Sequence, residues 1–155
     1  MNVLPYLALS IRQPWTYAVA VGWKDIENRN WRKPNPGIGF RGRVALHASA
    51  GMTRLEYEHA RAFMHACGRQ CPEPHELVRG AIIGTAEIVD VVKHSTSRWF
   101  VGRIGLVMAN AQLLAEPIPC SGALGFFQWK HGGSIAKPAK WMLPSKGESS
   151  SPQLF

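Results

Sequence analysis

Three side chains capable of chemistry, Lys24, Glu27 and Arg29, fall within six residues of one another. Glu27 and Arg29 are two apart, so on a strand they share one face. Lys24 precedes them, where the backbone turns into that strand, and reaches back over the same face. A cation, a carboxylate and a guanidinium on one surface support two kinds of chemistry. They bind a phosphate or a base edge, with the guanidinium making a two-pronged contact. Alternatively they work as acid and base, with the lysine pKa lowered by Arg29 and raised by Glu27. A plain ion-pair network on a solvated face is the competing structural explanation. Trp15 and Trp31 flank the cluster. Each either stacks on a base or packs in the core.

Further candidates surround this set. Gln13 and Trp15 belong to a Gln-Pro-Trp turn ahead of it and join its ligand contacts. Arg29, Arg32, Lys33, Arg41, Arg43 and Arg54 occur with no acid between Asn28 and Leu55. Such a one-signed stretch suits a phosphate clamp, with Arg41 and Arg43 at the end of its Pro/Gly loop. His47 ends a strand near the site. With Leu46 in the core, His47 faces the cleft or solvent and is either a substrate contact or a structural hydrogen-bonding group. His65, Cys67, Cys71 and His75 are all metal-ligand types. Their spacing is unlike a zinc knuckle, and residues two apart on a helix diverge, so no metal is assigned. No cofactor is implied either.

The elements that must position these residues are short apolar runs between turn residues. Leu7 to Ile11 reads as a strand. Pro14 then opens a helix with Trp15, Ala18 and Val19 on one face, stopped by Gly22. Asp25 to Trp31 and Arg43 to Ala48 read as strands. Thr53 to Cys67 is the clearest helix, with a capping box at Thr53 and Glu56 and an expected stripe of Leu55, Ala62, Phe63 and Ala66. Gly80 to Val92 and Ile104 to Met108 read as strands, and an apolar segment from Pro117 to Trp129 closes the body. The pattern predicts an α+β fold, a small curled sheet or barrel of about five to six strands flanked by two or three helices. One domain is expected over residues 1–141, with a flexible C-terminal tail over 142–155.

Composition narrows the partners. The 155 residues carry 18 Lys+Arg against 10 Asp+Glu, a formal charge of +8, and 46% are hydrophobic. That hydrophobic content excludes wholesale disorder, and the excess of cations points to polyanions. The longest apolar run, Tyr17 to Val21, is too short to span a membrane, and the N-terminus does not read as a signal peptide. Membrane is therefore not an expected partner. Three cysteines, an odd number in a chain able to hold its own core, favour a reducing, cytoplasmic location.

The order of these motifs resembles the activating-signal-cointegrator homology (ASCH) domain of the PUA-like superfamily. The resembling residues run from Leu9 to Trp15 and from Gly22 to Trp31, with Arg41-Gly42-Arg43 leading into Val44 to Ala48. Gly80 to Val92, and Pro117 to Pro119 with Gly122 to Trp129, are similar to the family's central strand and closing segment. The resemblance covers roughly residues 5–130. It implies a small β-barrel that binds RNA or a nucleotide in a cleft lined by the Lys24, Glu27 and Arg29 element. It also implies two enzymatic alternatives. Some small bacterial members remove the acetyl group of 4-acetylcytidine with a lysine, a threonine and a glutamate. Here Glu27 occupies the threonine position, which argues against a threonine nucleophile, and Glu87 is a possible acid. Other members are described as ribonucleases, for which Lys24 and Glu27 would act as acid and base and Arg29 on the phosphate.

Overall fold

Short runs rich in β-branched residues, punctuated by glycine and proline, become six strands. In the computed structural model, which describes residues 3–145, they are β1 (Leu7–Ile11), β2 (Ile26–Arg29), β3 (Gly42–Ala48), β4 (Ala81–Val92), β5 (Ile104–Pro119) and β6 (Phe126–Gln128). Two α-helices, α1 (Trp15–Ala20) and α2 (Arg54–Ala66), complete the α+β architecture. The strands form one curled, half-barrel sheet in the order β2-β5-β4-β3-β1-β6. β1 and β3 run parallel, and the other neighbours are antiparallel.

β5 is longer than the sequence predicts. Residues 109–119 continue the strand that was expected to stop at Met108, and three register shifts accommodate the length where β5 faces β4. Such bulges sharpen the local twist, which lets a long pair curl rather than lie flat. Gly84 sits at one of them: a Cβ there would lie 2.5 Å from the Gln112 carbonyl oxygen.

The concave face buries Leu9, Ile11, Val44, Leu46, Ile88, Ile104 and Leu106, with Val19 and Ala20 of α1 against them. α1 packs across β3, β4 and β5. Its start is fixed by Thr16, whose hydroxyl donates to the Ile11 carbonyl at 2.5 Å. Its end is fixed by Gly22, whose φ of +85° lets the Trp23 and Lys24 amides fold back onto the Ala18 carbonyl. That reversal aims the chain from Lys24 into β2.

α2 lies over a second apolar cluster that includes Ile26, Met52 and Trp99. The capping box is present as expected: Thr53 Oγ1 accepts from the Glu56 amide at 3.1 Å, and Glu56 accepts from the Thr53 amide at 2.8 Å. The buried stripe differs from the expected one. Tyr57, Ala60 and Met64 face inward, Phe63 is half-buried, and Leu55, Ala62 and Ala66 are exposed. Tyr57 and Met64 enter the core with the small Ala60 between them, and their i, i+3, i+7 spacing sets the register.

Met142, expected in the tail, is buried with Tyr57 and Trp99, so the packed body reaches at least that residue. The remainder of the expected tail from residue 146 lies outside the described residues. Among the described residues no helix is long and apolar enough to cross a membrane.

Candidate functional site

The Lys24, Glu27 and Arg29 side chains do converge. Lys24 Nζ lies 3.2 Å from Glu27 Oε1, and Arg29 Nη2 lies 3.0 Å from Glu27 Oε2. One carboxylate thus bridges two cations, one on each oxygen. Lys24 and Glu27 are buried, and Arg29 is half-buried, so this is not the solvated ion-pair network that spacing alone also allowed. Lys24 Nζ also donates to the Ile26 carbonyl, and Arg29 Nη2 to the Ser10 carbonyl at 2.7 Å. Burial pushes the Lys24 ammonium below its ordinary pKa. The Glu27 charge opposes that shift, and Arg29 adds to it.

A cleft of about 430 Å³ opens over the Lys24–Glu27 side. Trp15, Phe63 and Trp99 form its apolar wall, and Lys24, Glu27, Asn28, His59 and Val101 supply the rest. The three rings meet edge to face, with Phe63 5.0 Å from Trp99 and Trp15 6.3 Å from Trp99 between centroids. Lys24 Nζ stands 5.8 Å from the Trp15 ring centroid. The volume and the mix of flat apolar walls with a few buried polar groups suit a planar heterocycle.

Sequence reasoning found Trp15, Lys24 and Glu27 but missed Asn28, His59, Phe63, Trp99 and Val101 as cleft residues. Trp99 is buried against α2, anchoring its loop, and it lines the cleft as well. Asn28 holds that loop in place. Its Nδ2 donates to the Trp99 carbonyl at 2.8 Å, and its Oδ1 accepts from the Val101 amide at 2.9 Å. An asparagine directly after Glu27 was the only local signal.

The remaining expected contacts lie elsewhere. Gln13 is buried and fully engaged, donating to the Val78 carbonyl at 2.8 Å and accepting from the Tyr17 amide at 3.0 Å. It shapes the turn before α1 rather than meeting a ligand. Trp31 packs edge-on against Phe126 at 5.6 Å, with the Arg29 guanidinium 5.5 Å from its ring. It helps close the barrel between β2 and β6. Arg41 pairs with Asp90 at 3.5 Å, and Arg43 donates to the Val3 carbonyl. Neither lines the cleft, because β5 and β4 stand between β2 and β3 in the sheet. Asp90, distant in sequence, thus opposes one cation, Arg41, of a stretch that itself holds no acid. Glu87, the possible acid, accepts from Asn110 Nδ2 at 2.9 Å and lies outside the cleft lining.

His47 was expected to face cleft or solvent, yet it is buried beside Leu46. A register shift between those two residues breaks simple alternation. The Cys120 carbonyl, 2.7 Å from Nε2, can only accept, so Nε2 carries the proton. Nδ1 therefore accepts from the Ser10 hydroxyl at 2.7 Å. Desolvation holds His47 below its ordinary pKa, with the Cys120 carbonyl opposing. His47 lines a separate cavity of about 590 Å³ with Ser10, Arg12, Arg29 and the glycine-rich chain around Gly122 and Gly133.

Among the described residues no group of three or more His, Cys, Asp or Glu side chains is placed to hold a metal ion. Cys67, Cys71 and Cys120 are free thiols, and burial raises Cys71 to about 11. Compared with known proteins, the chain matches no family model and no curated protein.

Proposed function

We propose that the chain binds RNA or a nucleotide, receiving one base in the cleft walled by Trp15, Phe63 and Trp99. The observation that carries this reading is the pairing of flat aromatic walls with a buried Lys24–Glu27 floor. Any base can lie against the rings, while a lysine donor and a carboxylate acceptor select its polar edge. The resemblance of the Gly22 to Trp31 element to ASCH domains of the PUA-like superfamily supports the same reading. The three free thiols suit a cytoplasmic setting.

A panel of nucleosides and nucleotides, followed by quenching of tryptophan fluorescence, tests it. Saturable quenching by at least one base, weakened in Trp99→Phe, is the expected result. No quenching by any member at low salt rejects the base-binding cleft.

A second reading, hydrolysis of RNA or of a modified nucleoside such as 4-acetylcytidine, is favoured by one observation. Lys24 is buried, has a lowered pKa and touches a carboxylate, which is the setting of an acid/base pair. In that reading Lys24 and Glu27 are the catalytic residues. Product must form from labelled RNA or acetylated cytidine and must vanish in Lys24→Ala and Glu27→Gln proteins shown to be folded. Binding without product leaves the cleft as a recognition site.

A further inference from the structure

Beyond the C-terminal end of β2, five cationic or imidazole side chains ring a hollow of about 590 Å³: Arg32, Lys33, Lys93, His94 and Arg103, with Trp31 in its wall. All five are exposed, and none has an ion-pair or hydrogen-bond partner among the described residues. No carboxylate belongs to the lining. Four permanent positive charges, drawn from three separate stretches of chain, are thus held together without internal neutralisation. Their mutual repulsion is relieved only by solvent or by an anion.

We propose that this hollow holds the sugar–phosphate backbone of a single-stranded RNA whose base enters the Trp15 cleft. The proposal rests on the base-binding reading and assigns the phosphates to new residues. The loop between β4 and β5 links the two places. It gives Trp99 and Val101 to the cleft and Lys93, His94 and Arg103 to the hollow. Val101 and Arg103 are two residues apart, a reach of about 7 Å in extended chain. A strand leaving the cleft along this loop therefore meets the cations within a short step. The concave shape fits a narrow polyanion rather than a flat lipid surface, and the lining offers two-pronged arginine contacts to phosphate. Lys93, His94 and Arg103 replace Arg41 and Arg43 as the partners of Arg32 and Lys33.

The test is the salt dependence of binding to a fluorescently labelled 12-nucleotide single-stranded RNA. Four engaged cations predict a slope of log affinity against log salt of about −2.8. Lys93→Gln/Arg103→Gln removes two of them and should flatten the slope by about 1.4. Arg41→Gln/Arg43→Gln should leave it unchanged. All four are exposed side chains, so the fold is not at stake. An unchanged slope in Lys93→Gln/Arg103→Gln overturns the proposal. So does the absence of RNA binding at low salt, or binding to anionic phosphatidylserine vesicles in place of RNA. Nucleoside quenching in the cleft, measured on the same variants, should stay within about twofold of the unaltered protein. If quenching is absent but the slope still responds, the cleft reading falls and the hollow stands.

Discussion

Arg29 Nη2 donates to the Ser10 carbonyl at 2.7 Å, which joins β2 to β1 across a seam that no sheet hydrogen bonds close. In the strand order these two lie near opposite edges, so a side chain does the work of a ladder. The same guanidinium holds Glu27. Arg29→Lys supplies one ammonium and cannot serve both acceptors with the same planar geometry. We expect a loss of about 2 kcal/mol in urea unfolding, with faster amide exchange in β1 and β2. An unchanged midpoint contradicts a fastening role.

Glu27 is the anion that keeps two buried or half-buried cations tolerable. Glu27→Gln leaves Lys24 and Arg29 facing each other with no countercharge. The expected loss is about 3 kcal/mol, since removing one member of a buried ionic set strands the rest. Lys24→Met in the same chain removes one stranded charge and should restore part of that loss. Chemical denaturation of the two single variants and the double variant, as a cycle, measures the coupling. Strict additivity contradicts it.

How much of this was readable in advance depends on sequence distance. The Lys24, Glu27 and Arg29 convergence follows from a two-residue period and a helix stop at Gly22, both local. The Thr53–Glu56 box is likewise local. The aromatic wall is not: Trp15, Phe63 and Trp99 meet only because α2 and the β4–β5 loop fold over the same end of the sheet. Arg41 shows the same limit in reverse. An acid-free stretch suggested a free cation, and the antiparallel β3–β4 pairing brings Asp90 to it. His47 defeated simple alternation because a bulge precedes it.

Acid should reveal His47. Its folded pKa is lowered from 6.5 by burial, so below that value the unfolded chain takes up a proton that the folded chain resists. Its contribution to stability is complete above pH 6.5 and declines as pH falls below it. His47→Gln should flatten stability over that window. The Glu56 carboxyl, lowered to about 2 chiefly by its hydrogen bond to Arg12, acts in a separate window. Its contribution is present above pH 4.5 and is lost as pH falls towards 2. Urea midpoints at pH 7.5, 5.5 and 3.5 resolve the two. A His47→Gln protein with an unaltered slope between pH 7.5 and 5.5 contradicts the first assignment.

Gly84 is required by close approach rather than by φ. An added Cβ would meet the Gln112 carbonyl oxygen at 2.5 Å and Ala20 Cβ at 3.0 Å. The oxygen is backbone in the neighbouring strand and cannot rotate away. Gly84→Ala should cost about 2 kcal/mol by overpacking between β4, β5 and α1. Gly39→Ala, where a Cβ meets nothing within 4 Å, should change the thermal midpoint little. Equal effects of the two substitutions contradict the packing argument.

The cleft can be probed without dismantling the core. Trp99 is buried between Trp15 and Phe63, so Trp99→Ala would remove both a wall and a core side chain. Trp99→Phe keeps an aromatic surface but shrinks it, and its backbone carbonyl still accepts from Asn28. A stacked base should then bind about fivefold more weakly, near the lower end of the range for losing a stacking ring. His59 lines the cleft from the exposed face of α2, so His59→Ala should leave the unfolding midpoint in place. If its imidazole contacts the bound base, affinity falls by about fivefold, the worth of one hydrogen bond. Fluorescence titration with the best nucleoside, beside urea unfolding of each variant, separates binding from folding. Loss of stability with undiminished affinity in Trp99→Phe would make the aromatic wall a packing feature alone.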